Sequence, residues 1–157
     1  MEQTRQDSKR SSSAQRDDDA VSQRADLTIE LPIRFVHELS AAESLQDVLD
    51  TVARWSSTVF GANRASITLA QSETELTLIA MEGNNAIPMD QPVPIYGTMV
   101  GRVYRTRQAE YAERFDGSPD LDCQMLSAKG LGCCLDVPMI SGSRCVGTMN
   151  IAHESPN

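Results

Sequence analysis

The chain has 157 residues, a formal net charge of −8 and about 40% hydrophobic residues, which is enough for one core of ordinary size. The acidic balance argues against a nucleic-acid-binding surface, because phosphate contacts need clustered lysines and arginines. No apolar run reaches the roughly 18 residues of a membrane span, so we expect a cytoplasmic protein without membrane partners. The four cysteines are expected there as reduced thiols.

The N-terminal segment, residues 1–26, is polar and carries mixed charge, including three consecutive aspartates at 17–19. It buries too little apolar surface to offset the entropy of ordering, so a disordered tail is predicted. Residues 27–157 are then predicted to form one domain.

Two helices are predicted to open this domain. Residues 29–39 carry apolar side chains at helical spacing, with Pro32 in the first turn. The second helix begins after Ser44, an N-cap with Asp47 three residues later, and ends at Gly61. One apolar stripe is predicted to face the core: Leu45, Val48, Leu49, Val52, Trp55 and Val59.

A first hairpin is predicted where two β-rich runs, residues 65–70 and 75–81, flank a polar turn. Residues 82–97 contain three prolines and form a long connection. Such a connection either covers a pocket as a lid or is an ordered surface loop, and the sequence leaves both open.

A third helix is predicted at residues 99–106, capped by Thr98, and Gly101 inside it is expected to permit a close approach to the sheet. Residues 110–115 are a weak strand candidate. A fourth helix is predicted at residues 119–129, beginning with Ser118 as its cap and Pro119 in its first position.

The strongest β-signal lies near the C-terminus. Two apolar runs, residues 133–140 and 145–152, flank a four-residue turn and predict a buried hairpin at the centre of a sheet. Pro138 is expected at a bulge or at an unpaired edge, because it cannot donate a ladder hydrogen bond. Cys133 and Cys134 are expected to point to opposite faces. The order of elements predicts an α+β fold with a mostly antiparallel sheet.

From about residue 33 to residue 152 the sequence resembles the GAF domain family of small-molecule sensor modules. The resemblance implies a six-stranded, mostly antiparallel sheet with helices on both faces. It also implies a ligand pocket between one sheet face and the third and fourth helices with their loops. The matching motifs are VFGA at 59–62, YGTMVGRV at 96–103, Gly130 and Leu131 leading into LDVPM at 135–139, and VGTMNI at 146–151.

The chain departs from the family pattern in two places. It lacks the Asn-Lys-Phe-Asp-Glu signature of the cyclic-nucleotide-binding branch, so the resemblance is to the non-cyclic-nucleotide branch. It also lacks the long closing helix that family members usually carry after the last strand. The uncovered apolar side chains therefore predict either a fragment of a longer regulator with an attached effector domain, or a homodimer.

Catalytic and metal-binding patterns are absent from the sequence. There is no nucleophile elbow, and only His37 and His153 could act as imidazole bases, so no enzyme is predicted. No spacing of metal ligands occurs. Cys123 lies where the bilin-binding branch of the family attaches its chromophore, although its neighbour is Gln124 rather than the common histidine. A small buried hydrophobe is the default for all four cysteines, and the sequence leaves any cofactor unknown.

The sequence thus predicts a non-catalytic sensory domain that binds an unidentified small molecule and signals through its helices. The alternative is a structural dimerisation module whose pocket is filled by its own side chains. A bilin photoreceptor and a free methionine sulfoxide reductase rank lower. The predicted ligand-binding residues are Tyr96, Thr98, Val100, Val103, Tyr104, Phe115, Cys123, Met125, Cys133 and Leu135.

Overall fold

The computed structural model describes residues 31–89 and 91–155, so the predicted N-terminal tail lies outside the described residues. Four helices and six strands follow one another in the described part of the chain. The helices are α1 (Ile33–Ser40), α2 (Leu45–Phe60), α3 (Met99–Thr106) and α4 (Leu121–Ser127). The strands are β1 (Arg64–Ala70), β2 (Glu75–Gly83), β3 (Val93–Pro94), β4 (Glu110–Ala112), β5 (Cys133–Ser141) and β6 (Arg144–His153).

All six strands form one antiparallel sheet in the order β3-β2-β1-β6-β5-β4. Helix α2 packs on one face through Ala53, which meets Ile67 of β1 and Ala80 of β2. Helices α3 and α4 cover the other face, where Val100 and Leu126 belong to the larger core cluster. The predicted α+β, GAF-like architecture with helices on both faces is confirmed.

Local sequence explains where α2 begins and ends. The Ser44 hydroxyl accepts the backbone N–H of Asp47 at 3.1 Å, and the Asp47 carboxylate accepts the N–H of Ser44 at 2.9 Å, which completes a capping box. Gly61 ends the helix with φ +61°, a left-handed conformation that glycine adopts without steric cost. Both predicted ends are confirmed.

The predicted central hairpin is confirmed as β5 and β6. Its turn is shorter than predicted, because Ser141 and Arg144 pair with each other and leave only Gly142 and Ser143 unpaired. Strand β4 pairs with β5 only as far as Asp136, so Pro138 beyond it has a ladder partner on one side alone. Pro138 therefore lies at an unpaired edge, one of its two expected positions.

Three predictions about the second half need correction. Helix α4 begins at Leu121 after Asp120, not at Pro119 after Ser118, and β4 contains three residues instead of six. Gly101 permits a close approach as expected, but the neighbour is the backbone carbonyl of Ile95 in the preceding loop, not the sheet.

Candidate ligand-binding site

A cavity of about 30 Å³ lies between the sheet and the two helices α3 and α4. We call it the polar cavity, because it combines apolar walls with several buried polar side chains. Ile87 of the connection after β2 and Val93 of β3 contribute to its wall, and both are buried. The full lining is Arg64, Ser66, Thr68, Leu78, Ile87, Val93, Val100, Asp122, Leu126, Cys134, Asp136, Asn150, Ile151 and Ala152.

Strand pairing places three polar residues in one row across the floor of the polar cavity. Asp136 of β5 is the register partner of Asn150 of β6, which in turn is the partner of Ser66 of β1. Side chains of register partners point to the same face, so this row faces α3 and α4 together. In the neighbouring row the hydroxyls of Thr68 and Thr148 are hydrogen-bonded at 2.7 Å.

Asp136 is the most unusual residue of this row. Asp136 is only 4% exposed, and none of the described residues donates a hydrogen bond to its side chain. Burial raises the pKa of Asp136 well above its usual value, and the negative charges of Asp122 and Glu110 raise it further. A buried carboxyl group without a hydrogen-bonding partner is costly, which marks this position as a candidate contact for something outside the chain.

Asn150 has a similar deficit beside Asp136. Its Nδ2 donates to the backbone carbonyl of Ser66 at 3.4 Å, which leaves Oδ1 as the acceptor turned the other way. This Oδ1 is buried and has no hydrogen-bond partner among the described residues. Two neighbouring acceptors, a carboxyl and an amide oxygen, thus lack donors in the same cavity.

Asp122, by contrast, has backbone hydrogen-bond partners for both of its carboxylate oxygens. Its two carboxylate oxygens accept the N–H groups of Met99 at 3.0 Å, Val100 at 2.9 Å and Cys123 at 3.0 Å. Burial raises the pKa of Asp122, while these hydrogen bonds act in the opposite direction. Asp122 therefore caps α3 from α4 and holds the two helices together above the cavity.

The cap also decides what the N-terminus of α3 can do. Thr98 Oγ1 accepts the N–H of Gly101 at 3.1 Å, so side chains of the protein already occupy the free N–H groups of the first turn. The geometry is that of a local cap.

Arg64 is a buried cation at one end of the polar cavity. Its guanidinium donates to the backbone carbonyls of Asn84 and, at 3.2 Å, of Ile87, and it forms no ion pair within the described part of the chain. Burial lowers the pKa of Arg64 to about 10, which leaves the group protonated at neutral pH. Arg64 thereby ties the long connection down onto the sheet.

Only one of the ten predicted ligand residues, Val100, lines the polar cavity. Thr98 and Met125 line a smaller cavity of about 20 Å³ between the start of α3, α4 and the long connection. Two others are exposed, Tyr96 at 64% and Leu135 at 37%. The remaining five lie in neither lining: Val103, Phe115, Cys123 and Cys133 are buried elsewhere, and Tyr104 packs half-buried against the core.

Strand β5 shows why the sequence missed the polar residues. Cys133 and Cys134 do point to opposite faces, but both are buried, so hydrophobicity does not tell which one faces the cavity. The even-numbered residues Cys134 and Asp136 face it, and Leu135 faces away. A lone aspartate inside an apolar strand was the available signal for Asp136, whereas no local signal distinguishes Arg64.

The cysteines behave as packing residues in the structure. All four are free, three of them buried, and Cys123 and Cys134 lie with their sulfur atoms 4.0 Å and 3.8 Å from Met99 Sδ. Contact with Cys123, followed by burial, raises the pKa of Cys134, which disfavours its thiolate. No cluster of histidine, cysteine or carboxylate residues suited to a metal ion occurs in residues 31–89 and 91–155. Within the same ranges, no helix is long and apolar enough to span a membrane.

Comparisons with solved structures show the same fold at low identity. The GAF domain of the Acinetobacter phosphoenolpyruvate-protein phosphotransferase matches with a TM-score of 0.64 and 19% identity, over 80% of this chain and 75% of that chain. Free methionine-R-sulfoxide reductase from Neisseria meningitidis, solved with its substrate, matches with a TM-score of 0.66 and 18% identity, over 79% and 71%. The chromophore-binding domain of Stigmatella aurantiaca bacteriophytochrome matches with a TM-score of 0.57 and 14% identity, over 80% and 50%.

No curated protein matches the sequence significantly. The family model of the GAF domain, however, matches residues 44–157, which is well over half of the chain. These residues include all six strands and the helices α2, α3 and α4, which cover the two faces of the sheet. The chain therefore belongs to the GAF domain family.

Proposed function

We propose that this chain is a non-catalytic sensory domain that binds a small molecule in the polar cavity. One observation carries the proposal: Asn150 Oδ1 is buried without a hydrogen-bond partner among the described residues, and the buried Asp136 beside it, which receives no hydrogen bond from those residues, faces the same cavity. Protein interiors satisfy nearly all of their buried polar groups, so such a pair indicates an external partner. Family membership supports the same function, because GAF domains are in general sensory and regulatory.

Strand β1 offers a physical route from the polar cavity to the opposite face. Ser66 and Thr68 line the cavity, whereas Ile67 between them packs against Ala53 of α2. A ligand that shifts β1 would therefore also shift the packing under α2. If the ligand binds more tightly to one position of β1 than to another, it changes the populations of the positions of α1 and α2 as well. A partner or effector that contacts these helices would detect the change.

A ligand screen with a plugged cavity tests this proposal. Thermal unfolding is followed with a panel of metabolites and nucleotides, using the wild type, Ser66→Val and the control Ala70→Val. Ser66→Val adds apolar volume to the cavity lining, whereas Ala70→Val adds it at the exposed end of the same strand. We expect at least one compound to stabilise the wild type and Ala70→Val but not Ser66→Val. Stabilisation by no compound would overturn the proposal.

The second candidate is a dimerisation module with a self-filled cavity. Its supporting observation is an apolar surface on the first two helices: Ile33 is 72% exposed, Val36 49% and Leu45 69%. The small volume of the polar cavity points the same way. Sedimentation at increasing concentration tests it, with Ile33→Glu to disrupt the surface and Arg34→Glu as the control for added charge. A wild type that stays monomeric at high concentration excludes the homodimer.

An enzymatic alternative comes from the similarity to the methionine sulfoxide reductase fold. Cys123 is 1% exposed and packs against Met99, outside the lining of the polar cavity. That placement supports a structural thiol, and the same burial weighs against chromophore attachment at Cys123. We expect no turnover of free methionine sulfoxide by the wild type. Turnover that is lost in Cys123→Ser would contradict the non-catalytic proposal.

A further inference from the structure

The two unpartnered acceptors of the polar cavity restrict the chemistry of its ligand. Asp136 and Asn150 are register partners on adjacent strands, so their side chains stand side by side on one face of the sheet. A single ligand group between them reaches both oxygen atoms, and it must offer N–H or O–H donors to do so.

We propose that the ligand of the polar cavity presents a small cationic N–H donor group, a protonated amine or an amidinium, to Asp136 and to Asn150 Oδ1. The inference rests on the proposed function, since it names the ligand class of the same cavity. It goes further because it assigns the sign of the ligand charge and the two residues that recognise it.

The charges around the polar cavity favour a cation over an anion. Its lining holds two carboxyl groups, Asp122 and Asp136, and one guanidinium, Arg64. Arg64 donates to the carbonyls of Asn84 and Ile87, and Asp122 accepts three backbone N–H groups. Asp136 is thus the one carboxyl of the lining to which no hydrogen bond comes from the described residues. A bound cation neutralises the charge of an ionised Asp136, whereas a carboxylate or phosphate ligand would be repelled by that charge.

The size of the polar cavity limits the group that enters. About 30 Å³ accommodates a small polar group, not a whole drug-sized ligand. The apolar walls supplied by Val100, Leu126 and Ile87 suit a short carbon substituent behind the cationic head. Ammonium and amidinium heads fit these limits, and their N–H donors match two acceptors at once.

The pH dependence of cation binding provides a second test of the inference. Because burial raises the pKa of Asp136, binding of a cation favours the ionised carboxylate over its protonated form and promotes proton release. Affinity for the cation should then rise with pH, by up to about tenfold per pH unit below the folded-state pKa. The other titratable or charged groups that face Asp136 are Arg64 of β1, Arg102 of α3, Glu110 of β4, Asp120 and Asp122 at the start of α4, and Cys134 of β5.

Three probes with one planar heavy-atom skeleton test the sign of the charge: acetamidinium, acetamide and acetate. Binding to the full chain is measured by calorimetry at constant ionic strength. We expect acetamidinium to bind at least about tenfold more tightly than acetamide, and acetate not to bind. Acetate or acetamide binding as tightly as acetamidinium would overturn the inference while leaving ligand binding in the cavity intact.

Two variants locate the contact. Asp136→Asn keeps the shape and removes the charge, so acetamidinium affinity should fall at least about tenfold and lose its pH dependence. Asn150→Leu removes the amide acceptor and should also weaken the binding of acetamidinium. This second variant tests the contact even if Asp136→Asn does not fold. Glu113→Gln removes one exposed carboxylate as the control and should change nothing.

Unchanged affinity in both cavity variants, or no binding of acetamidinium at all, would show the inference to be wrong. The proposed function is decided separately. The proposed function holds if any compound of the metabolite and nucleotide panel stabilises the wild type but not Ser66→Val. If no compound does so, both the proposed function and the inference are wrong.

Discussion

Replacing Asp136 by asparagine should stabilise the unliganded protein increasingly as the pH rises. Asparagine has the shape of a protonated aspartic acid but cannot ionise, so the variant reports the cost of charging Asp136 inside the polar cavity. Burial is the main reason why the pKa of Asp136 is raised well above its reference value of 3.8. A residue placed for a ligand is expected to destabilise the empty protein in this way.

The magnitude follows from the linkage between protonation and folding. The folded chain holds this proton more tightly than the unfolded chain does. The stability associated with Asp136 is therefore complete below the unfolded-state pKa and is lost as the pH rises toward the folded-state pKa. Within that interval the wild type should lose about 1.4 kcal/mol per pH unit relative to Asp136→Asn, and the difference should level off above it.

Urea unfolding followed by fluorescence measures this difference, because Trp55 is the single tryptophan of the chain. The free energy of unfolding is compared at several pH values above the reference pKa of 3.8, where the difference between variant and wild type should grow with pH by up to about 1.4 kcal/mol per pH unit. Glu113→Gln, which neutralises an exposed carboxylate, should show no such growth. A difference that stays flat or shrinks with rising pH would refute the argument that Asp136 is buried and uncompensated.

Two further predictions concern the elements that hold the site together. Arg102 donates to both carboxylate oxygens of Glu110 and of Asp120 at 2.9–3.0 Å. Arg102→Ala should therefore lower the free energy of unfolding in urea by about 1–3 kcal/mol. A double-mutant cycle with Asp120→Asn that shows no coupling energy would contradict this prediction. Gly101→Ala would place a Cβ against the backbone carbonyl of Ile95. The substitution should lower the urea midpoint, although alanine is favoured over glycine by about 1 kcal/mol in helix propensity. An unchanged midpoint would contradict the close contact.

Much of the fold was predictable because the relevant signals are local in the sequence. The ends of α2 follow from a capping box at Ser44 and Asp47 and from a left-handed glycine at position 61. Helix α3 has the predicted bounds, Met99–Thr106, since Thr98 caps it with its own side chain. Each of these interactions joins residues a few positions apart, so a single chain segment contains all the information.

The start of α4 shows where local signals compete. Ser118 followed by Pro119 is a good helix start, yet the helix begins after Asp120. Asp120 accepts two hydrogen bonds from Arg102 of α3, and Asp122 caps α3 in return. These contacts come from a segment some twenty positions away, and they fix the position of α4 more strongly than its own N-terminal residues do.

The sequence alone thus determined the two hairpins, the ends of α2 and α3 and the class of fold, because capping, alternation and turn chemistry act within a few residues. Only the tertiary structure decided which face of β5 meets the polar cavity. Cys133 and Cys134 are equally apolar and both are buried, so hydrophobicity gives these two positions no preferred face. Pairing with β6 therefore placed Asp136 beside Asn150 and sent Leu135 outward, which moved the candidate site from the predicted apolar side chains to the polar row.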